Sequence, residues 1–173
     1  MIYIDVEVKS KKWEEQSSIE ILVKNICKKL IPLTDLKVMF TDDFSLELSI
    51  SLVSDAQIKK INHQFRSKNK PTDVLSFPTI DENLVRKIGL KKLLKGQKYL
   101  FLGDIVVAYE TVKKESLAQK KIFKDHLTHL ILHSILHLIG YDHEIDEMAV
   151  KMENTEIAIL KKLRIKNPYQ LTN

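Results

Sequence analysis

The chain has 173 residues, 44% of them hydrophobic and 29% charged, which is the balance of a soluble globular protein with one core. Lys and Arg number 28 against 23 Asp and Glu, a net charge of +5; the lysines are scattered, so charge alone argues only weakly for a polyanionic partner. Cys27 stands alone, which excludes an internal disulfide and a cysteine metal cluster.

Taken in chain order, the alternation of Ile2, Ile4, Val6 and Val8 predicts a strand over 2–8. The opening MIYIDVEVKS lacks the basic and then apolar pattern of a secretory leader. Residues 17–31 carry apolar side chains at helical spacing, with Ser17 or Ser18 as cap and Pro32 after the end. Strands are expected at 36–41 and 44–53, joined by a hairpin turn at Asp42 and Asp43. Ser54 reads as the N-cap of a helix over 55–65. A polar loop, 67–72, leads into a short strand at 74–77, ended by Pro78. Residues 79–99 are charged and lysine-rich, and read as a mobile excursion holding a short helix. A buried strand is expected at 102–108, then helices at 109–119, 122–140 and 146–163. No segment is apolar for long enough to span a bilayer. The expectation is a single α/β (α+β-like) domain over 1–173, with a small mixed sheet packed against several helices, in a reducing cytoplasm.

Four of the six histidines, His126, His129, His133 and His137, form one stripe of the predicted helix 122–140. Residues four apart share a helix face one turn apart, so His133 and His137 could share one ion. Gly140 can end the helix in a left-handed conformation and bring His143 back to the same ion. His129 and His137 lie roughly 12 Å apart along the axis, too far to share bonds near 2 Å. A helix pair plus a ligand beyond the break is the better geometry. His126 and His129 then line the approach or cap the core. Three protein ligands leave a zinc ion one open position, the arrangement of catalytic sites, and metal-assisted hydrolysis is the leading reaction class.

The same spacing occurs in metzincin proteases, which carry a glutamate directly after the first histidine as general base. Here that residue is Ser134, which cannot replace a carboxylate as base near neutral pH. Four segments together resemble the YbeY family of bacterial metal-dependent endoribonucleases, which act in ribosomal RNA maturation and ribosome quality control. HSILHLIGYDH (133–143) resembles the family's His-Gly-x-Leu-His-Leu-x-Gly-Tyr-Asp-His, with Ser134 in place of its glycine. PTDVLSFP (71–78), LGDIVV (102–107) and FRSKNK (65–70) resemble its other blocks, in the same order.

The resemblance implies a metal site at the end of a helix in the C-terminal half, holding one Zn²⁺ on His133, His137 and His143. It also implies that Arg66 is the functional arginine, placed to stabilise phosphate charge. The expected substrate is single-stranded RNA, in particular ribosomal RNA of the small subunit, with no membrane or DNA partner. Metal-activated water and the RNA 2′-hydroxyl are both open as nucleophile. Asp142 and Asp104 are candidates to orient an imidazole, and Thr72, Asp73 and Ser76 either bind near the site or shape their loop. Met152 is expected in the core. The rival reading is a ribosome-associated factor with a mainly structural metal; a peptidase is disfavoured by Ser134.

Overall fold

A computed structural model describes residues 1–40, 43–143 and 146–170. Its framework is a four-stranded mixed sheet. Strand β1 (Ile2–Val8) runs parallel to β2 (Ser45–Val53), and β2 runs parallel to β4 (Tyr99–Ala108). Strand β3 (Val74–Pro78) pairs antiparallel with β4 and takes the edge, so the order is β1-β2-β4-β3. In β2, Leu46, Leu48, Ile50 and Leu52 are buried while Ser45, Glu47, Ser49 and Ser51 are half-buried. That alternation fixes which face meets the core.

The core face is covered by α1 (Ile19–Leu30) and α6 (Phe123–Leu138), with α7 (Asp146–Lys162) packed on α6. The opposite face carries α2 (Asp55–Arg66), whose Ile58 packs with Val53, Leu75, Val106 and Ala108. Ser54 caps α2 in a full capping box with Gln57, which satisfies two otherwise orphaned backbone donors. The 79–99 segment holds two short helices, α3 (Glu82–Ile88) and α4 (Leu90–Leu93), and returns to the core through Leu90 and Leu94. Helix α5 (Tyr109–Ala118) follows β4 directly.

The expected strand at 36–41 is a correction. Residues Asp35–Met39 form a 3-10 turn instead. Thr34 initiates it: its Oγ1 accepts the Leu36 N–H at 3.3 Å and donates to the Ile31 carbonyl at 2.8 Å. Leu36 is buried, but Val38 is 46% exposed, so the apolar alternation does not correspond to an inward face. Both edges of β2 are also taken by β1 and β4, which leaves no place for a hairpin partner. Asp42 of that expected turn lies outside the described residues.

Gly103 is where the sheet and the site-bearing helix meet. Its φ is +136°, and a Cβ there would stand 2.2 Å from the Phe77 carbonyl oxygen and 3.1 Å from the Leu138 side chain. Only glycine lets the end of α6 sit this close to the β3–β4 pair. Gly103→Ala is therefore expected to lower stability by at least ~2 kcal/mol through backbone strain and overpacking. Urea denaturation checks this; an unchanged midpoint would mean that β3 and α6 do not approach as described.

Candidate metal centre

Helix α6 ends as its sequence demands. Gly140 adopts φ +93°, its N–H donates to the His137 carbonyl at 3.0 Å, and Tyr141 N–H returns to the Leu136 carbonyl at 3.0 Å. The chain reverses over one residue, and His143 comes back beside the last turn. His133, His137 and His143 each offer one ring nitrogen, and the three atoms lie within 4.8 Å of one another.

The hydrogen bonds decide which nitrogens these are. His133 Nδ1 donates to Glu156 Oε1 at 2.7 Å, and His137 Nδ1 donates to the Tyr141 carbonyl at 2.9 Å. With both Nδ1 protons committed, both Nε2 atoms present lone pairs, and they stand 3.1 Å apart. Two bare lone pairs at that distance repel unless something positive lies between them. Two tetrahedral zinc bonds of about 2.0–2.1 Å would place their nitrogens ~3.3 Å apart. The donor set fits an imidazole-preferring ion such as Zn²⁺.

Burial first, and then the neighbouring His133 and His143, pull the His137 pKa down to about 4 from its ordinary 6.5. His137 is thus neutral, as a ligand must be. Glu156 has no exposed surface. Burial would raise its pKa, but hydrogen bonds from His129, His133 and Tyr169 outweigh that and hold it at about 2. Its Oε2 accepts His129 Nε2 at 3.0 Å and also the Tyr169 hydroxyl. One buried carboxylate therefore orients a histidine of the trio, binds a second histidine and ties in the C-terminal segment.

Sequence reasoning passed over the role of Glu156. Its signal was present: an acid on the stripe that also carries Met152, Ile159 and Leu160, all buried. Nothing in the sequence points to Tyr169. His126 and His129 do not line an approach: His126 is buried against Glu115 at 3.0 Å, and His129 is held by Glu156. Met152 is in the core, as expected.

Of the two candidate aspartates, Asp142 holds the loop: Oδ1 accepts the His143 N–H at 2.7 Å, and Oδ2 accepts Arg86 Nη2 at 2.8 Å. Asp104 is exposed in the middle of β4, paired with Phe77. Its neighbour Ile105 belongs to the α6 side of the sheet and Val106 to the α2 side, so strand alternation turns Asp104 away from α6. Thr72 donates to Asp73 Oδ1 at 2.9 Å, and that oxygen caps the Val74 N–H at 2.8 Å, so these residues shape the entry to β3. Ser76 is half-buried in β3.

Ser134 is fully buried and its Oγ has no hydrogen-bond partner among the described residues. The position after the first histidine thus faces the core. Arg66 is exposed at the end of α2, and its neighbour Phe65 stacks edge-on against Phe77 of β3 at 5.1 Å. The structure brings the three histidines together. Arg66 stands at the rim of the edge strand, and no contact among the described residues joins it to them.

Glu156→Gln keeps the shape but removes an acceptor and the charge. Metal affinity is expected to fall 10–100-fold, which competition with a chelator measures; unchanged affinity would remove Glu156 from the site's support. Acid should also destabilise the metal-free protein in two consecutive windows. The unfolded chain protonates His137 first, so stability falls as pH drops from 6.5 toward about 4. Glu156 has a folded pKa below its ordinary 4.5, so its contribution is lost as pH drops from there toward about 2. Thermal unfolding against pH in the presence of chelator checks the sign.

The family model described as Endoribonuclease YbeY matches residues 5–164. Proteins named Endoribonuclease YbeY from Bartonella bacilliformis and Bartonella henselae are each 40% identical over 169 residues, covering 98% of both chains. One from Rhodopseudomonas palustris is 37% identical over 167 residues, covering 96% of this chain and 80% of the relative. The solution structure of a Thermotoga maritima protein superposes with a TM-score of 0.55 at 26% identity, covering 98% of this chain and 99% of that one. On these matches, which run nearly end to end, the chain belongs to the YbeY endoribonuclease family.

Proposed function

We propose that this protein is a zinc-dependent endoribonuclease of single-stranded RNA that acts in ribosomal RNA maturation and ribosome quality control in the cytoplasm, as one domain over 1–173. Membership of the family makes it a metal-dependent hydrolase of RNA. The observation that carries the finer reading is the trio His133, His137 and His143, whose Nδ1 partners aim two Nε2 lone pairs at one point. No helix of the described residues is long and apolar enough to cross a membrane.

A zinc ion held there supplies a Lewis acid for a phosphoryl oxygen and lowers the pKa of water. The chain's own residues do the rest. Glu156 and the Tyr141 carbonyl accept the Nδ1 protons of His133 and His137 and so turn both Nε2 atoms toward one point. The Asp142 carboxylate fixes the return that carries His143. Arg66 offers a planar fork of donors for two phosphate oxygens. The small ribosomal subunit is the natural source of the substrate on this reading. A peptidase is disfavoured by the burial of Ser134, because a carboxylate at that position would be buried in the core.

The direct test incubates zinc-loaded protein with single-stranded and fully paired RNA. Cleavage confined to unpaired RNA, lost on chelation and in His137→Ala, is the expected result. Arg66→Ala should keep its metal but cleave on the order of 10²–10³-fold more slowly in single turnover. Arg66→Lys should recover only part of that rate. A wild-type rate in Arg66→Ala with unchanged zinc would remove Arg66 from the active site.

A further inference from the structure

We infer that the α3–α4 excursion is a binding arm for the phosphodiester backbone of single-stranded RNA, anchored directly to the loop that carries His143. The inference rests on the RNA reading above and names the surface that would hold the strand.

The first observation is where the charge lies. Residues 79–99 contain Arg86, Lys87, Lys91, Lys92, Lys95 and Lys98 against Asp81 and Glu82, a net +4 in a chain whose total is +5. Both acids are occupied. Asp81 caps α3, its Oδ1 accepting the Asn83 and Leu84 N–H groups at 2.9 and 3.2 Å, and Glu82 lies 3.6 Å from Arg86. All five lysines are exposed, and none forms an ion pair among the described residues. A surface shaped only for solubility intersperses both signs. Here lysines of one sign crowd a short segment and repel each other, an arrangement that a polyanion relieves.

The second observation is what the arm is attached to. Arg86 Nη2 donates to Asp142 Oδ2 at 2.8 Å, while Asp142 Oδ1 takes the backbone N–H of His143. Val85 packs on the helix-ending turn; a Cβ on Gly140 would stand 3.0 Å from its side chain. Leu90 and Leu94 root the far end of the arm in the core. Lys87 directly follows the anchoring arginine. A strand lying along these lysines is thereby brought to the His143 side of the metal centre, without any need for sequence-specific contacts.

The test is anisotropy of a labelled, single-stranded 2′-O-methyl oligoribonucleotide, checked to remain intact, titrated with zinc-loaded protein over a range of salt. The variants are the four single changes Lys87→Gln, Lys91→Gln, Lys92→Gln and Lys95→Gln, their combination, and a comparator with Lys11, Lys28, Lys29 and Lys37 changed to glutamine. Each lost phosphate contact should flatten the slope of log affinity against log salt by about 0.7. The combined arm variant should bind at least about tenfold more weakly at low salt, while the comparator stays near wild type. Zinc content and thermal midpoint should be unchanged in the arm variant.

Unchanged affinity and slope in the arm variant would overturn the proposal, as would an equal loss in the comparator or no RNA binding by the wild type. Arm-dependent binding by a protein that cuts no RNA would support the arm while defeating the nuclease reading. Cleavage with arm-independent binding would do the reverse.

Discussion

A carboxylate with no exposed surface must find every hydrogen bond inside the protein, and Glu156 does so by taking donors from His129, His133 and Tyr169. That constraint reaches the rest of the site. It sets the tautomer of His133, which sets the nitrogen that faces His137 and the candidate metal position. It also joins α6, α7 and the C-terminal segment at one point. The Tyr141 carbonyl performs the same service for His137 through the backbone. The two histidines on the helix are thus aimed by different means, one by a side chain from another helix and one by the turn that ends their own.

The approach of α6 to the sheet supplies the second condition. Gly103 removes a side chain where Leu138 and the Phe77 carbonyl converge, so the last turn of the helix is pressed against β3 and β4. Close packing makes that position hard to adjust. The site sits on a rigid helix end rather than on a free loop. The one histidine of the trio outside the helix, His143, is secured by Asp142 and through it by Arg86.

Much of this was legible in the sequence because its signals are local. The alternation in 2–8 gives β1 over Ile2–Val8, and Ser54 with Gln57 gives the start of α2. The histidine spacing around Gly140 gives the convergence of His133, His137 and His143, since helical pitch and a left-handed glycine leave little freedom. The failure at 36–41 has the opposite origin: short apolar runs read equally well as strand or 3-10 turn, and the matter is decided by β1 and β4, which occupy both edges of β2. Glu156, 23 residues from His133, and Arg86, 56 from Asp142, belong to the site by tertiary contact alone. Asp104 looked eligible because it follows a glycine in a recognisable block. Its side of the strand rules it out, and that follows only once the register is known.

Tyr169 lies beyond the last helix, yet its hydroxyl donates to Glu156, its ring meets His129 edge-on at 5.6 Å, and the Pro168 carbonyl beside it accepts Lys121 Nζ at 2.6 Å. Synthesis makes this segment after every strand and every histidine. A nascent chain can therefore build its sheet and wind α6 before Tyr169 reaches Glu156. The last donor to the buried carboxylate is thus also the last of them to be made, and the packing around Glu156 closes only when the end of the chain folds back onto it.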